Sequence, residues 1–179
     1  AVINLATSVT KTKNIWDLGI SCLGIYYDSP EMVDPSKTRY AAGITVPEEM
    51  EELKEQLRGE GYKEVDLPSA KSGYAEHPYN GIISILLGVF KVYPALGKWL
   101  EAQDYCDPDH LKPAVPFCEL NHGNNELTQY YAILENTDAF MLGLEDPIKY
   151  MEKHPNPKWK GSKKADAKPT LRQPKSTSG

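Results

Sequence analysis

Glu119 is the residue of this sequence best placed to do chemistry. It lies in the run Phe117-Cys118-Glu119-Leu120, a carboxylate inside an otherwise apolar segment. Partial burial would raise the pKa of such a carboxyl and let it act as a general base. The alternative is a carboxylate at a rim that pairs with a lysine. We take Glu119 as the candidate catalytic residue and as a candidate ligand contact.

Several tyrosines lie in segments rich in β-branched and aromatic residues, which is typical of strands. They are Tyr26, Tyr27, Tyr40, Tyr130 and Tyr131. Because neighbours on a strand point to opposite faces, one tyrosine of each adjacent pair should face a core and the other a cleft. Aromatic clefts stack on flat ligands. We expect Tyr27, Tyr40 and Tyr131 to contact a ligand, and Trp99 either to join them or to pack in the core.

Two Cys/His pairs, Cys106-x3-His110 and Cys118-x3-His122, have a spacing that resembles zinc ligation. Cys118 lies within a predicted strand and His122 in a turn, so we predict no metal. The sequence contains no Gly-x-Ser-x-Gly elbow and no phosphate-binding loop, and we predict no cofactor. The odd number of cysteines, with Cys22 as the third, favours free thiols in a reducing compartment; a Cys106–Cys118 bridge is the alternative.

The charge of the chain is unevenly distributed. The 179 residues carry a net charge of −5, but the segment from Lys149 onward carries +7 and the rest −12. An acidic body would repel nucleic-acid phosphates, so we exclude a nucleic-acid partner. The basic segment could contact an acidic protein or an anionic membrane. We find no signal peptide and expect a cytoplasmic protein; a longer form tethered to a membrane is the alternative.

The elements that would position these residues are strands and two main helices. Strands are predicted at Cys22–Asp28 and Thr38–Val46, joined by the proline-bearing link "SPEMVDPSK". A helix follows, predicted to begin at the capping box Thr45-Val46-Pro47-Glu48 and to end at Gly59 and Gly61, with Met50, Leu53 and Leu57 as its apolar stripe. A strand pair comes next, in "YKEVDLP" and "AKSGYAEHP". A long helix over 80–103 should be kinked or split at Pro94. The strand pair "AVPFCEL" and "LTQYYAIL" completes the body. We predict a domain over 1–145 and an extended or disordered Pro/Lys-rich tail over 146–179.

The first and last strand pairs have matching spacing. "GIYYDSP" and "VPFCELN" are offset by 91 residues, and the returning strands "RYAAGI" and "QYYAIL" by 90. This spacing predicts an internal duplication. The predicted fold is α+β, with two strand–helix–strand–strand (βαββ) units related by a pseudo-twofold axis and a cleft where they meet.

The segment "YYDSPEMVDPSKTRYAAGI" resembles the signature of GyrI-like small-molecule-binding domains. "YKEVDLPSAKSGYAEHPYNGI" and "VYPALGKWLEAQDY" are similar to the second half of that family. The likeness covers roughly Leu23 to Leu142, and "YYDSPEMV" is most similar to the GyrI-like domain of an animal reticulophagy receptor. The resemblance implies the duplicated fold, but the first strand is truncated or supplied differently. An open sheet edge would follow, which invites a homodimer or a protein partner.

The resemblance also implies a function. Members of the family bind aromatic or cationic drugs in an aromatic cleft, and some hydrolyse cyclopropane-containing toxins with a pocket glutamate. That glutamate aligns with Gln129, whose amide cannot act as a base. We therefore predict a non-catalytic domain that binds a small flat or apolar organic molecule, with Gln129 as one contact. The alternatives are an interaction module that docks through its sheet edge and basic tail, and a hydrolase that uses Glu119.

Overall fold

The computed structural model describes residues 2–11, 14–79, 82–103, 115–123 and 127–158. Helix α1 (Val2–Thr10) and a short 3-10 turn (Ile15–Leu18) precede the first hairpin, β1 (Ser21–Tyr26) and β2 (Tyr40–Thr45). Helix α2 (Glu51–Gly59), strand β3 (Ser72–Pro78) and helix α3 (Ile82–Ala102) follow. The second hairpin is β4 (Phe117–Asn121) and β5 (Leu127–Ile133), and helices α4 (Thr137–Phe140) and α5 (Pro147–Lys153) come last.

The strands form one five-stranded antiparallel sheet in the order β2-β1-β4-β5-β3. The predicted α+β class and the two predicted hairpins, β1 with β2 and β4 with β5, are confirmed. Within the described ranges no strand precedes β1, and the segment before it is helical.

One predicted strand is wrong. The segment "YKEVDLP", residues 62–68, forms no strand, and β3 pairs with β5 instead. The segment has one β-branched residue, Val65, and three charged residues, Lys63, Glu64 and Asp66. It therefore has no continuous apolar face to bury against a neighbouring strand. Only Leu67, at its end, packs against the core.

Helix α3 continues through Pro94 instead of being split there. Its buried stripe, spaced by four residues, includes Val92, Leu96 and Leu100. Pro94 lies on the exposed side, where the lost hydrogen bond leaves a carbonyl that water can reach. No helix among the described residues is long and apolar enough to cross a membrane.

The two faces of the sheet are covered differently. We call the face that carries Gly24, Glu119 and Tyr130 the helical face, because α3 packs on Tyr130 and Ala75 there. The cluster formed by α1 and α2 reaches the same face at Ile44. The other side, which we call the reverse face, carries Ile25, Tyr27, Cys118 and Ile133, with Phe140 and Met141 packed over them.

The predicted extended tail is partly folded. Pro147–Lys153 form helix α5, which is capped by Asp146 through bonds from the backbone N–H groups of Ile148 and Lys149. The capping residue followed by proline at the first helical position is a helix-start signal that we missed. Residues 159–179 lie outside the described ranges.

The proline-bearing link between β1 and β2 is held by the segment that follows Glu145. Val33 forms a β-bridge with Pro155, and the Asn156 side chain donates to the Pro30 carbonyl at 2.8 Å. Tyr150 donates its phenol hydrogen to the Lys37 carbonyl at 3.0 Å. The proline-bearing link is therefore bound by residues 145–156, which we call the strap.

Candidate functional site

A single row of directly paired residues crosses the helical face of the sheet. Ala42, Gly24, Glu119, Tyr130 and Ala75 lie opposite one another on successive strands. The row places the Glu119 carboxylate near the middle of the sheet, between a large aromatic residue and two small ones. Because α3 covers the Tyr130 side, a ligand could approach the carboxylate from the side of Ala42.

Aromatic rings from α3 and four strands form a cluster around Glu119. Tyr93, from α3, contacts Phe117 and Tyr130 with ring centroids 5.2 and 5.8 Å apart, and meets Tyr26 edge-on at 6.5 Å. Tyr26 in turn stacks on Tyr40 at 6.4 Å. Such offset and edge-to-face pairs are favourable aromatic geometries. The cluster runs from buried Tyr130 to Tyr40, which is 68% exposed.

The Glu119 carboxylate is held by two phenols. Tyr93 donates a hydrogen bond to it at 2.5 Å, and Tyr26 also hydrogen-bonds it. Burial raises the pKa of Glu119 above its usual value of 4.5, and the two hydrogen bonds oppose that rise because they stabilise the carboxylate. Burial, followed by the charge of Glu119, raises the pKa of Tyr26 to about 12 and that of Tyr93 further. Both phenols therefore remain protonated donors at neutral pH.

Gly24 makes room for one of these phenols. A Cβ atom at position 24 would lie 3.0 to 3.3 Å from three ring atoms of Tyr26. The Tyr26 ring thus folds back over Gly24 towards Glu119. Ala42, on the far side of Gly24, is exposed, so the open part of this face lies at Ala42, beyond the Tyr26 ring.

Helix α3 supplies an apolar wall. Leu86, Val89 and Phe90 precede Tyr93 by seven, four and three residues, so they share its side of the helix. All three are exposed, Phe90 by 74%. Since Tyr93 points at Glu119, this side of α3 is an apolar surface that leads towards the carboxylate.

The predicted site residues are divided between the two faces. Glu119 and Tyr40 lie on the helical face in adjacent rows. Trp99 also lies over this face, but at β3: a Cβ on Gly73 would meet its ring at 2.6 Å. Trp99 therefore packs at the edge of the sheet, away from the rings around Glu119.

Tyr27, Gln129 and Tyr131 lie on the reverse face, contrary to our expectation. Tyr27 is a core residue, and its buried hydroxyl has no hydrogen-bond partner among the described residues. Tyr131 packs against the same core and donates to Gln129 at 3.0 Å. Adjacent tyrosines do point to opposite faces of the sheet, as predicted, but we assigned the wrong member of each pair to the cleft. Tyr26 and Tyr130 are the members that face Glu119.

Gln129 takes part in a polar network on the reverse face. The two ring nitrogens of His122 lie 2.6 Å from Ser21 Oγ and 2.8 Å from Gln129 Oε1. The Gln129 amide also donates to the Tyr74 hydroxyl at 3.1 Å. This network satisfies the polar groups of β1, β4 and β5 on that face, so Gln129 is engaged away from Glu119.

The described residues do not form a zinc site, although the spacing of the Cys/His pairs resembles one. Burial raises the pKa of the Cys118 thiol to about 12, so it stays protonated, and His122 is engaged with Ser21 and Gln129. No group of three or more ligating side chains occurs in the described ranges. Cys22 and Cys118 are free thiols; Cys106 and His110 lie outside these ranges.

A cavity of about 290 Å³ lies away from Glu119, beside α4 and the start of α5. Its lining residues are Pro116, Thr137, Asp138, Met141, Gly143, Leu144, Asp146 and Pro147. None of them is aromatic, and Asp146 already caps α5. The charge and the aromatic rings converge instead at Glu119, which we take as the candidate site.

Comparison with known proteins gives a partial relationship. The chain is 34% identical to human Testis-expressed protein 264 over 89 residues, which is 47% of this chain and 28% of that protein. The chain thus spans less than a third of the length of this relative. No family profile matches the chain, and no solved structure is significantly similar to it.

Proposed function

We propose that this protein is a binding domain for a small flat or apolar organic molecule. The molecule would lie over β1 and β4, between helix α3 and the cluster formed by α1 and α2. The observation that carries this proposal is the partly buried Glu119 carboxylate within the aromatic cluster of Tyr26, Tyr40, Tyr93 and Phe117. A cleft with apolar walls and one oriented polar group is the usual composition of a small-molecule site.

The site chemistry favours a ligand with one cationic or hydrogen-bond-donating centre. A carboxylate that is desolvated and accepts two phenol hydrogen bonds from the described residues has further acceptor capacity. A cation near it would lower the pKa of Glu119 and recover part of the desolvation cost. Tyr40 and Phe90 offer exposed rings on which a flat ligand can stack.

The duplicated GyrI-like fold is part of this proposal. β1 and β4 are adjacent and antiparallel, and each continues into its hairpin partner on its outer side. A local twofold axis between β1 and β4 would exchange the two hairpins, and α1 precedes β1 as α3 precedes β4. This order, the sequence resemblance and the partial identity to Testis-expressed protein 264 support a reticulophagy-receptor-like domain.

The binding test uses a planar aromatic cation, rhodamine 6G, titrated into the full chain and followed by fluorescence anisotropy. We expect saturable binding that Glu119→Gln weakens at least about tenfold, because the isosteric amide cannot neutralise a cation. The matched control is Glu76→Gln, on the reverse face of the same sheet, which should bind as the parent does. Absence of saturable binding, or equal weakening by both variants, would refute the proposed site.

Hydrolysis is a second candidate function, favoured by the raised pKa of Glu119 beside two phenols. A strained cyclopropane-containing compound is the substrate class that the family resemblance suggests. Turnover that is lost in Glu119→Gln but kept in Glu76→Gln would establish it. Binding without turnover would leave the protein as a binding domain.

A further inference from the structure

The outer edge of β2 is an unprotected sheet edge, and we propose that it pairs with β2 of a second copy of this chain. In the part of the chain that the structure describes, β2 has one neighbouring strand, β1. The proposal does not rest on the proposed function, because the backbone of Tyr40–Thr45 makes the pairing; the Tyr40 side chain belongs to both surfaces.

The hydrogen-bond pattern shows which backbone groups face outward. The N–H of Tyr27 donates to the Arg39 carbonyl, so this opposed pair is a hydrogen-bonded one. In an antiparallel ladder such pairs alternate with non-bonded ones. Ala41 and Gly43 therefore bond to β1, whereas the N–H and C=O groups of Tyr40, Ala42 and Ile44 point away from the sheet.

The side chains of β2 offer none of the usual protection against pairing. The strand "YAAGIT" contains no charged residue and no proline, and Tyr40, Ala42 and Gly43 are exposed. Edge strands are normally blunted by such residues. The opposite edge, β3, carries Glu76 and Pro78 at outward-facing positions and is protected in this way.

The sequence of β2 fits a twofold pairing with itself. If Ala42 lies on the axis opposite Ala42 of the second copy, Tyr40 lies opposite Ile44 at both ends. The three outward residues of each copy then form three hydrogen-bonded pairs, with six backbone bonds in all. Tyr40 beside Ile44 is a favourable aromatic–β-branched pair, and no like charges meet. Pairing of β2 with β2 uses the same edge of both copies and gives a closed dimer. Pairing of β2 with β3 of another copy would instead give an open-ended row of molecules.

The expected dimer is weak and concentration-dependent. A six-residue strand is about 20 Å long, so the contact is smaller than the roughly 800 Å² per partner of a stable interface. Sedimentation velocity over a wide range of concentrations should therefore show a reversible monomer–dimer equilibrium. Ala42→Lys places two like charges together on the axis, and Ala42→Pro removes an outward N–H without breaking the ladder to β1. Each should weaken the dimer at least about tenfold.

The matched control for these variants is Ser72→Lys, at an outward-facing position of β3, which should dimerise as the parent does. A protein that stays monomeric up to the order of 1 mM would overturn the proposal. So would a dimer that survives both Ala42 variants, or a monomer whose Tyr40, Ala42 and Ile44 amides resist hydrogen exchange, since another occupant would then hold the edge.

Disulfide trapping tests the register directly. Hydrogen-bonded partners have Cα atoms about 5.5 Å apart, so Ala42→Cys should form an intermolecular bond on mild oxidation. Position 43 of one copy would lie about 8 Å from position 43 of the other, beyond bonding reach. Gly43→Cys should therefore cross-link no more than the parent. Equal cross-linking by both variants, or by neither, would refute the register.

Discussion

The phenol of Tyr93 donates a 2.5 Å hydrogen bond to a carboxylate oxygen of Glu119, although 26 residues separate them. The bond ties α3 to the centre of the sheet and favours the ionised form of the Glu119 carboxyl. Tyr26 makes a second phenol contact with the same carboxylate from the neighbouring strand. Burial acts in the opposite direction and raises the pKa of Glu119.

The raised pKa of Glu119 predicts a specific dependence of stability on pH. Since the folded protein holds this proton more tightly than the unfolded chain does, the contribution of Glu119 to stability is greatest below about pH 4.5. It falls as the pH rises through the folded-state pKa and is constant above it. Glu119→Gln removes this contribution. Urea unfolding from pH 4 to 8 should show the variant gaining stability relative to the parent as the pH rises; a constant difference would contradict the assignment.

Tyr93→Phe should shift that dependence to higher pH. The variant keeps the ring contacts with Phe117 and Tyr130 but loses the donor that favours the ionised carboxylate. We expect the free energy of unfolding at pH 7 to fall by about 1–3 kcal/mol. The pH at which stability changes should rise. Tyr74→Phe, which loses a phenol bonded to Glu76 on the reverse face, is the control and should leave that pH unchanged.

Alanine substitutions at two glycines of α3 should change the stability of the protein in opposite directions. A Cβ at Gly88 would lie 2.3 Å from the hydroxyl of buried Tyr130, whereas one at Gly97 would meet nothing within 4 Å. Gly88→Ala should therefore destabilise the protein by about 1–3 kcal/mol through overpacking. Gly97→Ala should stabilise it by about 0.5–1 kcal/mol through helix propensity. Chemical denaturation measures both, and equal effects would show that α3 does not approach the sheet at Gly88.

The sequence predicted the parts of the fold that depend on local patterns. Segments rich in β-branched and aromatic residues identified both hairpins, and the apolar neighbours of Glu119 in the sequence identified it as a partly buried carboxylate. The face of each tyrosine could not be predicted, because Tyr26 and Tyr27 are equally suited to either side of a strand. Register and helix packing decide that question: Tyr26 lies opposite Phe117, while Tyr27 packs beside Cys118.

Tyr93 and helix α5 were missed for different reasons. Tyr93 comes from a helix distant in sequence, and only the crossing of α3 over the sheet brings it to Glu119. Helix α5 had a local signal in Asp146-Pro147, which the surrounding Pro/Lys composition obscured. Its position depends on contacts with the proline-bearing link, which local patterns do not contain.

Arg39→Lys should loosen the strap over the proline-bearing link. The Arg39 guanidinium donates to both carboxylate oxygens of Asp28, at 2.8 and 2.7 Å, and to the Glu145 carbonyl at 2.7 Å, and its centre lies 3.7 Å above the Tyr150 ring. The Asp28 side chain is fully buried, so the guanidinium replaces the water that would otherwise solvate its carboxylate. Lysine keeps the charge but cannot span both oxygens and the carbonyl.

We expect Arg39→Lys to lower the free energy of unfolding by about 2–3 kcal/mol, since charge-assisted hydrogen bonds to a buried carboxylate are lost. Hydrogen exchange should rise first at the backbone amides of Asp34 and Asn156, which bond across the strap. Arg58→Lys is the matched control, because Arg58 pairs with Glu51 and Glu64 on an exposed surface; it should change neither quantity measurably. Unchanged protection of the strap in Arg39→Lys would mean that the Tyr150 and Asn156 contacts hold it without the guanidinium.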